Sequence, residues 1–111
     1  MKKKLNKKDI FKLIRTIVDK SINRVKPQKV ILFGSYAYGN PNNDSDVDLL
    51  FIKNTKQSNL EKHRFVSSRI DHVLPLDILV KTDFEVDKRL KMGDPFYKEI
   101  IKKGRVLYES T

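Results

Sequence analysis

The sequence predicts an α+β (α/β-like) domain in which helices flank a small mixed β-sheet. Amphipathic helical patterns alternate along the chain with short apolar runs of strand length. Capping signals recur between these runs, with Ser58 three residues before Glu61 and Thr82 three residues before Glu85. The resulting order is helix, strand, strand, helix, strand, helix, helix and a short final strand, without an internal repeat or linker.

The first half of the chain contains one long helix and two strands. Residues 7–25 place apolar side chains at helical spacing, with Asn6 as the N-cap. Residues 29–33 form a continuous apolar run that is typical of a buried strand. Turn-forming residues occupy positions 39–45, and residues 47–53 return to strand composition. The sequence thus predicts a strand, loop, strand unit near the centre of the chain.

The second half alternates helices and strands whose ends are marked by caps. Each capping box opens a helix, because its first and fourth residues satisfy each other's backbone N–H groups. Asp94 followed by Pro95 is a further helix start, and Gly93 and Gly104 predict helix ends. The predicted elements are a helix to about residue 70, a strand at 76–80, a helix to about 92, a helix from 95 to 104 and a strand at 105–109.

Length and composition limit the protein to a few classes. The chain has 111 residues, which is the size of one domain over residues 1–111. It has no cysteine, so disulfides, thiolate nucleophiles and cysteine-based zinc sites are excluded. No apolar run approaches the roughly 20 residues of a membrane span, and the basic start lacks the uninterrupted apolar segment of a signal peptide. We therefore expect a cytoplasmic protein without a membrane partner.

The charge of the protein is unevenly distributed. The net charge is +10, which indicates either a nucleic-acid or other polyanionic partner or a solvated lysine-rich surface. Residues 34–52 contain Asp44, Asp46 and Asp48 and no lysine or arginine, so they carry −3 while the rest of the chain carries +13. An acidic island in a basic chain indicates a cation site that is able to attract an anion.

Two aspartates of this acidic stretch and a third from a later strand are candidates for one cation site. Asp46 and Asp48 are separated by one residue of a predicted strand, so both carboxylates leave the same face. Two adjacent like charges need neutralisation, and a divalent cation is the natural candidate where no basic residue is near in sequence. Asp77 lies in the otherwise apolar strand at 76–80, and we expect it to be the third carboxylate on that face. Because an ionised carboxylate that faces a core is costly to desolvate, we expect Asp77 to be paired or metal-bound.

A turn of small residues directly follows the first strand. Gly34 permits close backbone approach, and the hydroxyl of Ser35 with neighbouring N–H groups can hold phosphate oxygens. Gly34 and Gly39 have the spacing of a P-loop, but Asn40 and Pro41 stand where that loop requires Lys and Ser or Thr. We therefore exclude a P-loop and expect Gly34 and Ser35 to bind phosphate in another kind of turn.

The sequence resembles the DNA polymerase β-type nucleotidyltransferase superfamily in Gly34-Ser35, the ten residues that follow, Asp46-Val47-Asp48 and the later Asp77. It is most similar to the minimal nucleotidyltransferases, small antitoxin-like proteins that are often paired with HEPN-domain toxins. The resemblance covers most of the chain, and the spacing between the two motifs is fairly specific. It implies a polymerase β-type nucleotidyltransferase fold and a single minimal nucleotidyltransferase domain over residues 1–111.

The resemblance also implies an activity, namely metal-dependent transfer of AMP from ATP to an acceptor hydroxyl with loss of pyrophosphate. It assigns two Mg²⁺ ions, or Mn²⁺, to Asp46, Asp48 and Asp77, and the β and γ phosphates to Gly34 and Ser35. Asp77 is expected nearest the acceptor hydroxyl, which it orients or deprotonates. The short chain implies a partner that supplies the acceptor, and in the toxin-antitoxin branch this acceptor is a tyrosine of a HEPN-domain toxin.

One position departs from the family pattern. Tyr38 stands where relatives commonly have arginine, in a Gly-Ser-x-Ala-Arg-Gly pattern, so a positive charge near the motif is missing. Either a lysine or arginine from elsewhere compensates, or turnover is weak. We expect Tyr38 to pack rather than to stack on a base, and Tyr36 to be structural. The missing arginine and the net charge of +10 support a second hypothesis, a binding module that inhibits a partner by contact or binds nucleic acid.

Overall fold

The computed structural model describes residues 5–42 and 45–111, so the turn expected at residues 39–45 lies partly outside the described residues. In these ranges no helix is both long and apolar enough to cross a membrane. In chain order the elements are α1 (Lys7–Val25), β1 (Lys29–Phe33), α2 (Ser35–Tyr38), β2 (Val47–Ile52), α3 (Asn59–Ser67), β3 (Leu76–Lys81), α4 (Asp83–Lys91), α5 (Pro95–Lys103) and β4 (Arg105–Glu109).

The strands form one mixed sheet in the order β3-β2-β1-β4. β1 runs antiparallel to β2 and to β4, whereas β2 and β3 are parallel. Parallel neighbours need a crossover connection, and α3 lies in the connection between β2 and β3. The order confirms the predicted α+β fold with a small mixed sheet, and it makes β3 and β4 the edge strands.

Helices cover both faces of the sheet, because buried strand side chains alternate between two apolar clusters. On one face α1 and α3 pack over residues that include Leu49 and Phe51 of β2. On the other face α4 and α5 pack over residues that include Leu50 and Ile52. Position 48 alternates in the same way, so Asp48 belongs to the face that α4 and α5 cover.

The helices begin at the predicted caps. Asn6 accepts the backbone N–H of Asp9 at 2.8 Å, and both predicted capping boxes are formed. Asp94 accepts the backbone N–H of Phe96 at 3.0 Å, and Pro95 occupies the first turn of α5. Each cap satisfies donors that the helix geometry leaves unpaired, so a few adjacent residues are enough to locate a helix start.

The structure differs from the predictions in several short stretches. A one-turn helix, α2, follows Gly34 where the sequence predicted a turn. α3 ends at Ser67 instead of about residue 70, and the N–H of Arg69 bonds the carbonyl of Val66, three residues back, in a tighter turn. β2 is one residue shorter and β3 one residue longer than predicted.

A buried lysine joins α3 to α4. The side chain of Lys62 is 4% exposed and donates to the carboxylate of Glu85, which also completes the capping box of α4. Burial opposes ionisation, but the hydrogen bonds from Lys62 and from the backbone of Thr82 hold the pKa of Glu85 below its ordinary value. This carboxylate therefore stabilises the fold at pH values above its unfolded pKa, and the contribution is lost as the pH falls through its folded pKa.

We expect Glu85→Gln to lower the free energy of unfolding by about 3 kcal/mol at neutral pH, because it leaves the buried Lys62 ammonium without a counter-charge. Glutamine can still form the capping box, so helix capping is retained. Glu61→Gln is the matched control, since Glu61 holds the same capping position in α3 and is exposed. Urea unfolding measures both variants, and equal losses at neutral pH would contradict the role of Lys62.

Candidate active site

The register of the two parallel strands brings two predicted site residues together. Asp48 of β2 is paired with Asp77 of β3. Residues paired in this way project to the same face of a sheet, and here it is the face that α4 and α5 cover. Asp46 directly precedes β2, and Val47 between the two aspartates is buried in the opposite cluster. Three carboxylates therefore lie near the amino-terminal ends of β2 and β3.

The positions of two aspartates differ from the sequence predictions. Asp77 is exposed, although we expected it to face the core. The reason is that β3 is an edge strand whose Ile78 and Val80 supply its buried side chains, so Asp77 lies on the more open face. Asp46 precedes the strand instead of lying in it, and it is exposed as well. Both carboxylates are therefore accessible to a ligand from solvent.

Gly34 brings the backbone against the Asp48 carboxylate. It follows Phe33, the last residue of β1, which is paired with Asp48 across the sheet. Its φ of 74° and ψ of −157° lie in a region that essentially only glycine adopts. A Cβ atom at this position would lie 2.0 Å from Oδ2 of Asp48. Because Gly34 has no side chain, there is room for the Asp48 carboxylate beside the backbone.

The turn after β1 continues directly into α2. Ser35 is the first residue of this helix and is half-buried, and the N–H of Tyr38 donates to the carbonyl of Gly34 at 3.1 Å. Tyr36 is buried and contacts Phe11 edge to face, with 6.5 Å between the ring centroids, which confirms its structural role. Tyr38 is half-buried and packs against the α4 and α5 cluster.

The charges of Asp77 and Asp46 act on the carboxylate of Asp48. Burial, followed by the charges of Asp77 and Asp46, raises the pKa of Asp48 to about 6. A cation among them would relieve this repulsion. In the part of the chain that the structure describes, no three acidic, histidine or cysteine side chains are placed to hold a metal ion by themselves. Mg²⁺ commonly takes only one or two protein carboxylates and completes its shell with water and substrate phosphates, so these residues fit a Mg²⁺ ion.

A cleft of about 600 Å³ lies over Asp48 and Asp77. Gly34 and Tyr38 line one part of it, and α5 contributes Phe96, Tyr97 and Glu99 to another. Its lining combines carboxylates, aromatic rings and the glycine turn. A cleft of this size is large enough for a small-molecule ligand of nucleotide dimensions.

Two basic side chains also line the cleft, Lys81 and Arg89. Lys81 is the last residue of β3, on the same face as Asp77, and Arg89 comes from α4. Each has a distant acidic neighbour, with 4.0 Å between Lys81 Nζ and a Glu85 oxygen and 3.9 Å between an Arg89 nitrogen and an Asp94 oxygen. The cleft thus offers positive charge as well as carboxylates.

Our sequence predictions did not include Lys81, Arg89 or Tyr97 among the site residues. A signal existed for Lys81, because alternate residues of a strand share a face and Lys81 lies four residues after Asp77. No comparable signal exists for Arg89 and Tyr97, which reach the cleft from two helices. Their positions depend on how those helices rotate over the sheet, which a local pattern does not specify.

Strand carboxylates beside a glycine turn, in a cleft that also offers basic side chains, suit chemistry on phosphate esters and are typical of nucleotidyltransferases. The chain belongs to the polymerase beta nucleotidyltransferase family, since residues 12–111 match the family described as "Polymerase beta, Nucleotidyltransferase". The protein is thus a nucleotidyltransferase, as its motifs indicated.

Similar proteins from archaea agree with this assignment. "Putative protein adenylyltransferase MJ0604" of Methanocaldococcus jannaschii is 26% identical over 103 residues, which cover 91% of this chain and 96% of that protein. "Putative protein adenylyltransferase MJ0141" of the same organism is 36% identical over 73 residues, or 66% of this chain and 69% of that protein. A crystal structure of a nucleotidyltransferase from Sulfolobus solfataricus, also named as putative, superposes with a TM-score of 0.66 at 24% identity, over 93% of this chain and 83% of that chain. This superposition confirms the fold.

Proposed function

We propose that the protein transfers AMP from ATP to a hydroxyl group of another protein, with Mg²⁺ or Mn²⁺ as the metal. The observation that carries the proposal is the pairing of Asp48 with Asp77 in the cleft that Gly34 borders. Two relatives bear the name protein adenylyltransferase, which supports AMP as the transferred group and a protein as the acceptor. The raised pKa of Asp48 supports a cation at this position.

The binding roles follow from where the residues lie. Asp46, Asp48 and Asp77 would hold the metal, which supplies positive charge to the reacting phosphate and to the leaving oxygen. Gly34, which borders the Asp48 carboxylate, and Ser35, which follows it at the start of α2, would hold the β and γ phosphates. The glycine allows those phosphates to approach the backbone closely.

Lys81 and Arg89 would provide the positive charge that Tyr38 does not supply at the motif. Both line the cleft. Their acidic neighbours lie 4.0 Å and 3.9 Å away, which is the outer limit of an ion pair. Neither of these ion pairs is short, so both side chains can turn toward a triphosphate.

The transfer itself is a displacement at the α-phosphorus. The acceptor oxygen forms a bond to this phosphorus while the bond to the bridging oxygen of the β-phosphate breaks, and pyrophosphate leaves with that electron pair. Asp77 accepts the proton of the acceptor hydroxyl, because its carboxylate is exposed and lines the cleft. Asp48 is more enclosed and is better placed to bind the nucleotide and its metal.

The acceptor we propose is a tyrosine of a HEPN-domain toxin, so that the protein acts as an antitoxin. The resemblance to the minimal nucleotidyltransferases supports this choice. Co-expression with a candidate HEPN-domain partner, followed by intact mass measurement and peptide mapping of that partner, tests this acceptor. We expect AMP on a tyrosine of the partner when the nucleotidyltransferase is wild type, and none when it carries Asp48→Asn.

Calorimetric titration with ATP, with and without Mg²⁺, tests the nucleotide site without an acceptor. We expect wild-type protein to bind ATP in a metal-dependent manner and Asp46→Asn/Asp48→Asn to lose this binding. Asp19→Asn/Asp87→Asn is the matched control, because it removes two exposed carboxylates that lie outside the cleft lining. Absence of binding to the wild type at millimolar ATP would overturn the proposal and favour a binding module that acts by contact or binds nucleic acid.

A further inference from the structure

A second groove, of about 290 Å³, adjoins the cleft along α4. Phe84, Lys88 and Met92 form its outer side, and we call it the α4 groove. None of these three residues lines the cleft itself. The groove is therefore a surface that can be changed without altering the lining of the proposed nucleotide site.

The α4 groove is continuous with the cleft. Lys81, Arg89 and Tyr97 line both, so they form a common wall. Lys81 and Asp77 lie on the same face of β3, four residues apart, which corresponds to about 13 Å along a strand. An extended polypeptide of about four to six residues would therefore reach from the groove to Asp77.

The groove displays apolar side chains that α4 does not bury. Phe84 is 75% exposed and Met92 is 66% exposed. They lie eight residues apart with Lys88 midway, so the three side chains follow one face of the helix. These two side chains line the same groove, so they offer apolar contacts to a partner that enters it.

The charge of the groove is positive. Lys81, Lys88 and Arg89 line it together with one carboxylate, Glu85. Glu85 already accepts a hydrogen bond from Lys62, which is buried, so its charge is compensated within the protein. The groove therefore attracts a ligand that carries negative charge next to an apolar group.

We propose that the α4 groove binds an acidic segment of the acceptor protein, with apolar side chains of that segment against Phe84 and Met92. The proposal rests on the proposed function for its premise that the acceptor is a protein. From the groove, the segment would continue past Lys81 and present its hydroxyl group to Asp77. The groove would thus select the acceptor, and the cleft would perform the transfer.

The charges near the groove favour a protein segment over other occupants. The adjoining cleft is lined by Asp48, Asp77, Asp94 and Glu99, and its proposed occupant is a triphosphate. A phosphate backbone such as RNA that continued from the groove into the cleft would therefore meet negative charge. A protein segment can place its acidic residues in the groove and neutral residues in the cleft. A second copy of this chain is disfavoured, because its net charge of +10 would oppose a positive groove.

A labelled copolymer of glutamate and tyrosine is a suitable probe, with binding measured by fluorescence anisotropy in the absence of ATP. We expect Lys88→Glu to weaken binding about tenfold and Phe84→Ala about fivefold, because each removes a contact within the groove. Lys102→Glu makes the same charge change on α5, and Val106→Ala truncates an exposed apolar side chain on β4 at the other edge of the sheet. We expect both of these controls to bind within about twofold of wild type.

Three outcomes would overturn the α4 groove as the acceptor site. In the first, the wild type does not bind the copolymer. In the second, the groove variants and their controls change copolymer binding equally. In the third, the groove variants lose binding to oligouridylate while their binding to the copolymer is unchanged. The last would assign the groove to nucleic acid. ATP titration of the same variants keeps the two proposals separate, since groove variants should bind ATP like wild type whatever the copolymer does.

Discussion

Asp77→Asn is expected to reduce AMP transfer by about 10³-fold while ATP binding changes by no more than a few-fold. Asp77 lies on the edge strand β3, exposed at the surface of the cleft, whereas its neighbour Asp48 is partly enclosed beside Gly34. Asparagine keeps the shape of the side chain but cannot accept the proton of a hydroxyl group, while Asp46 and Asp48 remain to hold the metal and the nucleotide. The loss should therefore fall on the transfer step instead of on nucleotide affinity.

Single-turnover transfer to the co-expressed partner measures the rate, and calorimetry measures ATP affinity in the same preparation. Asp48→Asn provides the contrast, because we expect it to lose both. Asp87→Asn provides the control for removal of an exposed carboxylate, since Asp87 lies on α4 outside the cleft lining. If Asp77→Asn lost metal-dependent ATP binding as fully as Asp48→Asn, the two carboxylates would be equivalent metal ligands and the proton-accepting role would be wrong.

The elements that local chemistry specifies were predictable. The N-cap of α1, the two capping boxes and the Asp94-Pro95 start all lie where the sequence placed them. Each depends on hydrogen bonds between residues two or three positions apart, so no tertiary information is needed. The short α2 helix was missed, because its single turn depends on the unusual backbone of Gly34 more than on any periodic pattern.

The features that depend on the arrangement of strands were only partly predictable. Asp48 and Asp77 could be assigned to strands, but their pairing requires that β2 and β3 be parallel and in register. The exposure of Asp77 follows from the edge position of β3, which no residue of that strand encodes by itself. Arg89 enters the cleft through the rotation of α4 over the sheet. Such information is long-range, because it arises from contacts between residues distant in sequence.

The sequence also does not predict which apolar residues of α4 are exposed. Phe84 and Met92 have large apolar side chains of the kind found in protein cores, yet both are exposed. Val86 of the same helix is buried. A helix of this length has one stripe that packs on the sheet, and apolar residues outside it are available to a partner. The sequence shows that α4 mixes apolar, basic and acidic residues, but only the structure separates the packed side from the exposed one.

Gly34→Ala is expected to abolish metal-dependent ATP binding and to lower the free energy of unfolding by about 3 kcal/mol. Two causes add. A φ of 74° with a ψ of −157° is unfavourable for any residue with a Cβ atom, and this Cβ would lie 2.0 Å from Oδ2 of Asp48. Relief of the contact requires the carboxylate or the turn to move, and both belong to the proposed phosphate and metal site.

Gly93→Ala separates these causes. Gly93 has a comparable φ of 78°, but a Cβ atom there would meet nothing closer than the Lys98 ammonium, at 3.9 Å. We therefore expect Gly93→Ala to lose only the backbone contribution, about 1 kcal/mol, and to bind ATP like wild type. Urea unfolding and ATP titration of both variants measure the difference. Equal destabilisation of the two, together with unchanged ATP binding in Gly34→Ala, would show that the close approach of Gly34 to Asp48 has no part in nucleotide binding.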